Sequence, residues 1–129
     1  MRVALAVVLL ATGLKPPVIH ETFTPLPCPK HAQTTLELEG CAEQQILASD
    51  RKINAKARTI FFKLAPRERA GFVRGEHEWL AYRRDSCAAE ASKYAGGTLA
   101  PLVDAQCQAA RNTTHLGDLA ELLQTLQSP

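Results

Sequence analysis

The chain has 129 residues, 46% of them hydrophobic, with four cysteines and a formal net charge of +2 from 15 basic and 13 acidic side chains. Arg2 and Lys15 account for the excess, so a chain cut after Lys15 carries thirteen of each sign and lacks the basic stripe of a nucleic-acid binder. Behind a short leader, about a hundred residues make one small domain whose core is marginal without cross-links.

The opening "MRVALAVVLLATGL" places one arginine before an apolar run too short to span a bilayer, the pattern of a signal peptide. Residues 1–20 are assigned to this segment with the cut site open; the protein meets a membrane only if the segment is retained. Residues 21–33 form a proline-rich lead, and five of the eight prolines fall between residues 15 and 33, which reads as an extended linker. Cys28 follows "TPLP", without the small residues that would precede a lipidated cysteine.

A single helical domain is expected over residues 34–126. Thr34 with Glu37 three residues on is a capping-box pattern that starts the first helix. Leu36, Ile46, Ile53, Ala57, Ile60 and Leu64 supply its apolar face, and Gly40 is a possible break. Pro66 suits the first turn of a second helix with Phe72, Trp79, Leu80, Arg83 and Cys87 on its inner side. Gly96 and Gly97 stop that helix, and a third runs from about Thr98 through Leu102, Val103 and Cys107 towards Leu119, Leu122, Leu123 and Leu126, with a weak point near Gly117. No segment alternates as a strand does. The fold class is therefore all-α, a long antiparallel helical hairpin plus a returning third helix.

An even cysteine count in an exported chain reads as two disulfides, and Cys28, Cys41, Cys87 and Cys107 allow three pairings. Folding about Pro66 and again about the glycine pair brings Cys41, Cys87 and Cys107 to one end of the bundle, within reach of Cys28. Because ties between helices stabilise a bundle more than ties within its lead, Cys41 or Cys28 is expected to bridge Cys87, with Cys107 taking the remaining N-terminal thiol. A structural zinc is disfavoured by the scattered thiols and the lack of a Cys-x-x-Cys pair.

Asp50, Ile53 and Asn54 as "D-x-x-I-N", Trp79, Tyr82, Arg83 and Cys87 as "W-x-x-Y-R-x-x-x-C", then Gly96, Gly97 and Thr98 with a later Cys107, resemble the LprI-type lysozyme-inhibitor domain from Cys28 to about Leu119. The resemblance implies that Trp79, Arg83 and Cys87 line the inside of the bundle, and Asp50 is the carboxylate at the right height for Arg83. The chain departs from the family pattern at Arg84, Glu76, Ala57, Asn112 and His115.

No motif supports an enzyme, and no cofactor or metal is expected. Cys87 and His77 are ten residues apart on one helix, and "HEWL" is not a metalloprotease motif. Asn112-Thr113-Thr114 matches a glycosylation acceptor, a motif common by chance. The resemblance implies a periplasmic or secreted binding module whose protein partner is a lysozyme. The alternative is a structural or accessory envelope protein that binds a different partner.

Overall fold

A computed structural model describes residues 13–128. The signal peptide expected from the sequence rests mainly on residues 1–12, outside the described residues. Helix α1 spans Thr35–Lys63, α2 spans Pro66–Ala91, a 3-10 turn covers Ser92–Tyr94, and α3 spans Leu99–Gln127. Among the described residues there is no strand, and no helix is long and apolar enough to cross a membrane.

Local chemistry sets the helix ends. The Thr34 hydroxyl accepts the Glu37 backbone N–H at 3.2 Å, and the Glu37 carboxylate accepts the Gln33 N–H at 3.0 Å, so one donor of the first turn and one just before the helix are satisfied. Pro66 sits at the start of α2, where its missing N–H has no partner to lose. Gly96 has φ of +90°, a left-handed value that reverses the chain between α2 and α3. The breaks expected at Gly40 and Gly117 do not occur, and both residues lie inside unbroken helices.

Helix α3 packs along α1, and α2 packs against α3. One core cluster holds Ala42, Ile46, Ala105 and Ala109 with Phe23 against it. The other holds Ile53, Ile60, Leu64 and Leu119, covered by Phe72, Trp79 and the leucines at the end of α3. Leu36, expected on the inner face of α1, is 58% exposed, because the first turn of α1 lies beyond these clusters.

The proline-rich lead is not a loose linker. It runs along α1 in the opposite direction, between α1 and α2. The Ile19 N–H donates to Asn54 Oδ1 at 2.8 Å, and the Asn54 amide donates back to the Ile19 carbonyl at 3.2 Å. Further along, Leu26 N–H donates to Glu43 at 3.0 Å, and Gln44 donates to the Leu26 carbonyl at 3.2 Å. Pro17, Ile19, Glu21 and Phe23 turn inward while Val18, His20, Thr22 and Thr24 are exposed, the two-residue alternation of an extended chain. Side chains of α1 and α2, rather than a neighbouring strand, bond its backbone at Ile19, His20 and Leu26.

This path also decides the disulfides. All four cysteines are oxidised, as Cys28–Cys41 and Cys87–Cys107, and neither N-terminal thiol bridges to Cys87 or Cys107 as expected. Cys28 is delivered beside the second turn of α1 because the lead lies along that helix, which leaves Cys87 to Cys107, level with it across the glycine turn. The bridges close separations of 13 and 20 residues, and loops of that size contribute about 3 kcal/mol each. Gly40 makes the first closure possible. A Cβ there would lie 2.7 Å from the Leu26 carbonyl oxygen and closer still to that of Pro27. Gly40→Ala is therefore expected to lower unfolding free energy by about 1 to 3 kcal/mol, read from urea denaturation; unchanged stability would show that the lead does not press against α1.

Candidate functional site

Arg83 is the largest fully buried side chain, at 0% exposure. A charge in that position requires partners, and every segment supplies one. Its Nη1 donates to Asp50 Oδ1 of α1 at 2.8 Å and to Asn112 Oδ1 of α3 at 2.9 Å, and its Nη2 donates to Glu21 Oε1 of the lead at 2.5 Å. Asn112 extends the network by donating to Asp50 at 2.9 Å and to the Ser49 hydroxyl at 2.8 Å. Exposed Arg84 adds a second cation to Glu21 at 3.4 Å.

Two carboxylates thus face one buried guanidinium. Burial and then a hydrogen bond with Glu21 push the Asp50 carboxyl up, Arg83 and Asn112 oppose them, and the balance leaves it at about 6. For Glu21, burial also pushes upward, but hydrogen bonds from Asp50 and Arg83 and the charges of Arg83 and Arg84 outweigh it, leaving the group lowered. Asp50 Oδ2 accepts from no donor. A proton on that oxygen would donate to Glu21, leaving one negative charge opposite Arg83.

A second line of contacts leads outward. The Trp79 indole stacks on the His115 ring, with centroids 3.7 Å apart and planes within 9°. The Arg83 guanidinium lies 5.7 Å from the Trp79 ring. His115 Nε2 is 2.8 Å from a Glu76 carboxylate oxygen, so a proton on that nitrogen is shared with Glu76.

The structure brings Asp50, Arg83 and Trp79 together, with Cys87 buried one turn beyond Arg83. Trp79 is only half-buried, and Arg83, not the indole, fills the centre. Asn54 is separate from this group and holds the lead. Tyr82, which shares the W-x-x-Y-R motif with Trp79 and Arg83, is 53% exposed beneath the Arg111 guanidinium, 5.3 Å from its ring; one residue from Arg83 means a turn of about 100° around the helix. Gly96 and Gly97 lie in the exposed turn. Sequence reasoning missed Glu21, Ser49 and the bridging role of Asn112. Glu21 had a signal in the alternating "PVIHETFT", which puts Glu21 on the same side as Ile19 and Phe23. Asn112, at 0% exposure, is closed to a glycosylating enzyme.

A family model described as "Lysozyme inhibitor LprI" matches residues 28–119. The chain belongs to the LprI lysozyme-inhibitor family. No curated protein and no solved structure matches it. The LprI match begins at Cys28, so Ile19 and Glu21, which hold the lead in place, lie outside the matched residues. Of the positions read from the sequence as departures from the family pattern, Ala57, Asn112 and His115 are buried and Glu76 is half-buried against His115. Arg84 is the exposed departure, and it serves the lead.

Arg83→Ala would strand two buried carboxylates and should cost about 3 to 5 kcal/mol. The raised Asp50 carboxyl contributes stability that is complete below the ordinary aspartate range, near 4, and is lost as pH rises through about 6. Glu21, being lowered, contributes stability that is lost only in stronger acid. Urea midpoints should therefore fall between pH 4.5 and pH 6.5, and Asp50→Asn, which retains the neutral form, should flatten that fall. An Asp50→Asn protein with the wild-type slope would remove the proton from Asp50.

Proposed function

We propose that the protein is an exported, disulfide-stabilised binding module that inhibits a lysozyme through direct protein contact. The observation that carries this reading is the family match over residues 28–119, which includes all four oxidised cysteines. Disulfides persist in oxidising compartments, so the site of action is the periplasm or the medium outside the cell. Inhibition by occlusion needs a rigid surface rather than reactive groups, and the two cross-links and the network around Arg83 favour such rigidity. A turbidity assay with several lysozymes is the test. Stoichiometric inhibition of at least one is expected, and no effect at a large molar excess would leave the accessory envelope role.

The folded unit extends N-terminally beyond the expected boundary at residue 34. Pro17 and Ile19 lie between α1 and α2, where they line a small cavity with Ile53, Asn54 and Leu80. A cut after residue 20 would remove them along with their hydrogen bonds to Asn54. Export should therefore remove residues only up to Lys15 or Pro16. Intact mass of the secreted protein reads the cut directly, and a mature chain beginning at Glu21 would show that the lead's upper half is dispensable.

A further inference from the structure

The α1–α2 corner combines charge and an exposed ring in a way that nothing else in the fold requires. Residues 56–69 carry five basic side chains, Lys56, Arg58, Lys63, Arg67 and Arg69, against one acidic, Glu68. Among the described residues, none of these five takes part in an ion pair. Phe62 stands at this corner 54% exposed, although its neighbour Phe61 is 1% exposed and fully in the core. The two rings meet edge to face with centroids 5.2 Å apart. Guanidinium groups of Arg58 and Arg69 lie 5.1 Å and 5.7 Å from the Phe62 ring, and Arg69 Nε donates to the Phe61 carbonyl at 2.9 Å. The corner is thus an aromatic tip held in place from below and flanked by cations.

The opposite end of α1 is acidic, but two of its three carboxylates are engaged. Glu37 caps the helix and Glu43 holds the lead. Burial, and then the charge of Glu43, raises the Glu39 carboxyl, which disfavours its charged form. Electrostatic complementarity therefore points to the basic corner as the free end.

We infer that this corner, with Phe62 at its tip, enters the saccharide cleft of a lysozyme and sets its cations against the cleft's carboxylates. The inference rests on the inhibitor reading above. A retaining glycosidase cleft presents two carboxyl groups a few ångströms apart, and a guanidinium matches a carboxylate in geometry and charge. An aromatic ring adds buried area at little entropic cost, because it has only two side-chain torsions and this one is already held. A lone ring among cations suits a narrow polar cleft better than a lipid surface, for which a broad apolar face would be needed.

The test uses the full mature chain, a lysozyme that it inhibits, and chitotriose as a ligand of the cleft. Chitotriose should compete with the inhibitor. Phe62→Ala, and separately the pair Arg58→Ser with Arg67→Ser, should each weaken inhibition by about tenfold or more, as loss of an interface anchor does, while melting temperatures stay near wild type. Glu39→Gln at the far end should have no effect. If the wild type inhibits but the corner variants inhibit equally well, or chitotriose does not compete, the corner is not the contact and the inhibitor reading stands. Corner-dependent binding to anionic vesicles with inhibition untouched would assign the basic patch to a membrane and overturn the inference. A wild type that neither binds nor inhibits any lysozyme removes the inference and the reading together.

Discussion

Burying a guanidinium at the centre of so small a bundle is the constraint around which the rest of the fold is arranged. Arg83 has no exposed surface, and an arginine cannot shed its charge. The lead, α1 and α3 each contribute a polar side chain that points at it, through Glu21, Asp50 and Asn112. An apolar residue of similar volume would pack there without imposing direction. The guanidinium instead specifies which segments must meet and in what register, since a shift of one residue in the lead would turn Glu21 outward.

That demand explains why a proline-rich stretch behaves as part of the domain. Prolines keep the lead extended and remove backbone donors that would otherwise need partners between two helices. The backbone groups of Ile19 and Leu26 are met by Asn54, Glu43 and Gln44 of α1, and the His20 carbonyl by Arg84 of α2. Cys28–Cys41 fastens the lower end of the strap and the Glu21 contacts hold its middle. The second bridge, Cys87–Cys107, ties α2 to α3, and α2 is the helix that needs it: its buried residues are only Arg83, Cys87 and Ala91.

The surplus carboxylate is the one expensive feature of this arrangement. Arg83 neutralises one negative charge, and a second, from Asp50 or Glu21, is tolerated when a proton is shared between them. Placing the titrating pair inside the fold, away from the exposed corner at Phe62, separates what holds the scaffold together from what is free to meet a partner. A rigid interior and an unengaged basic tip are compatible requirements because they use different ends and faces of α1.

Local signals in the sequence determined the helices. Thr34 with Glu37, Pro66, and the pair Gly96 and Gly97 act on neighbours within a few residues, so their effects hold whatever the tertiary context. The four-residue spacing of Trp79, Arg83 and Cys87 likewise identified the inner face of α2, and matching heights about Pro66 nominated Asp50 for Arg83. An extended chain has no such internal hydrogen bonds, and its course depends on which distant groups need partners. Hence only the tertiary structure decided that the lead lies along α1, that Cys28 meets Cys41 rather than Cys87, and that Glu21 and Asn112 complete the shell around Arg83. The same distinction separates Trp79 from Arg83: helical spacing put both on one face, but only three-dimensional packing made the guanidinium, with three buried or half-buried hydrogen-bonding partners, the centre of the fold.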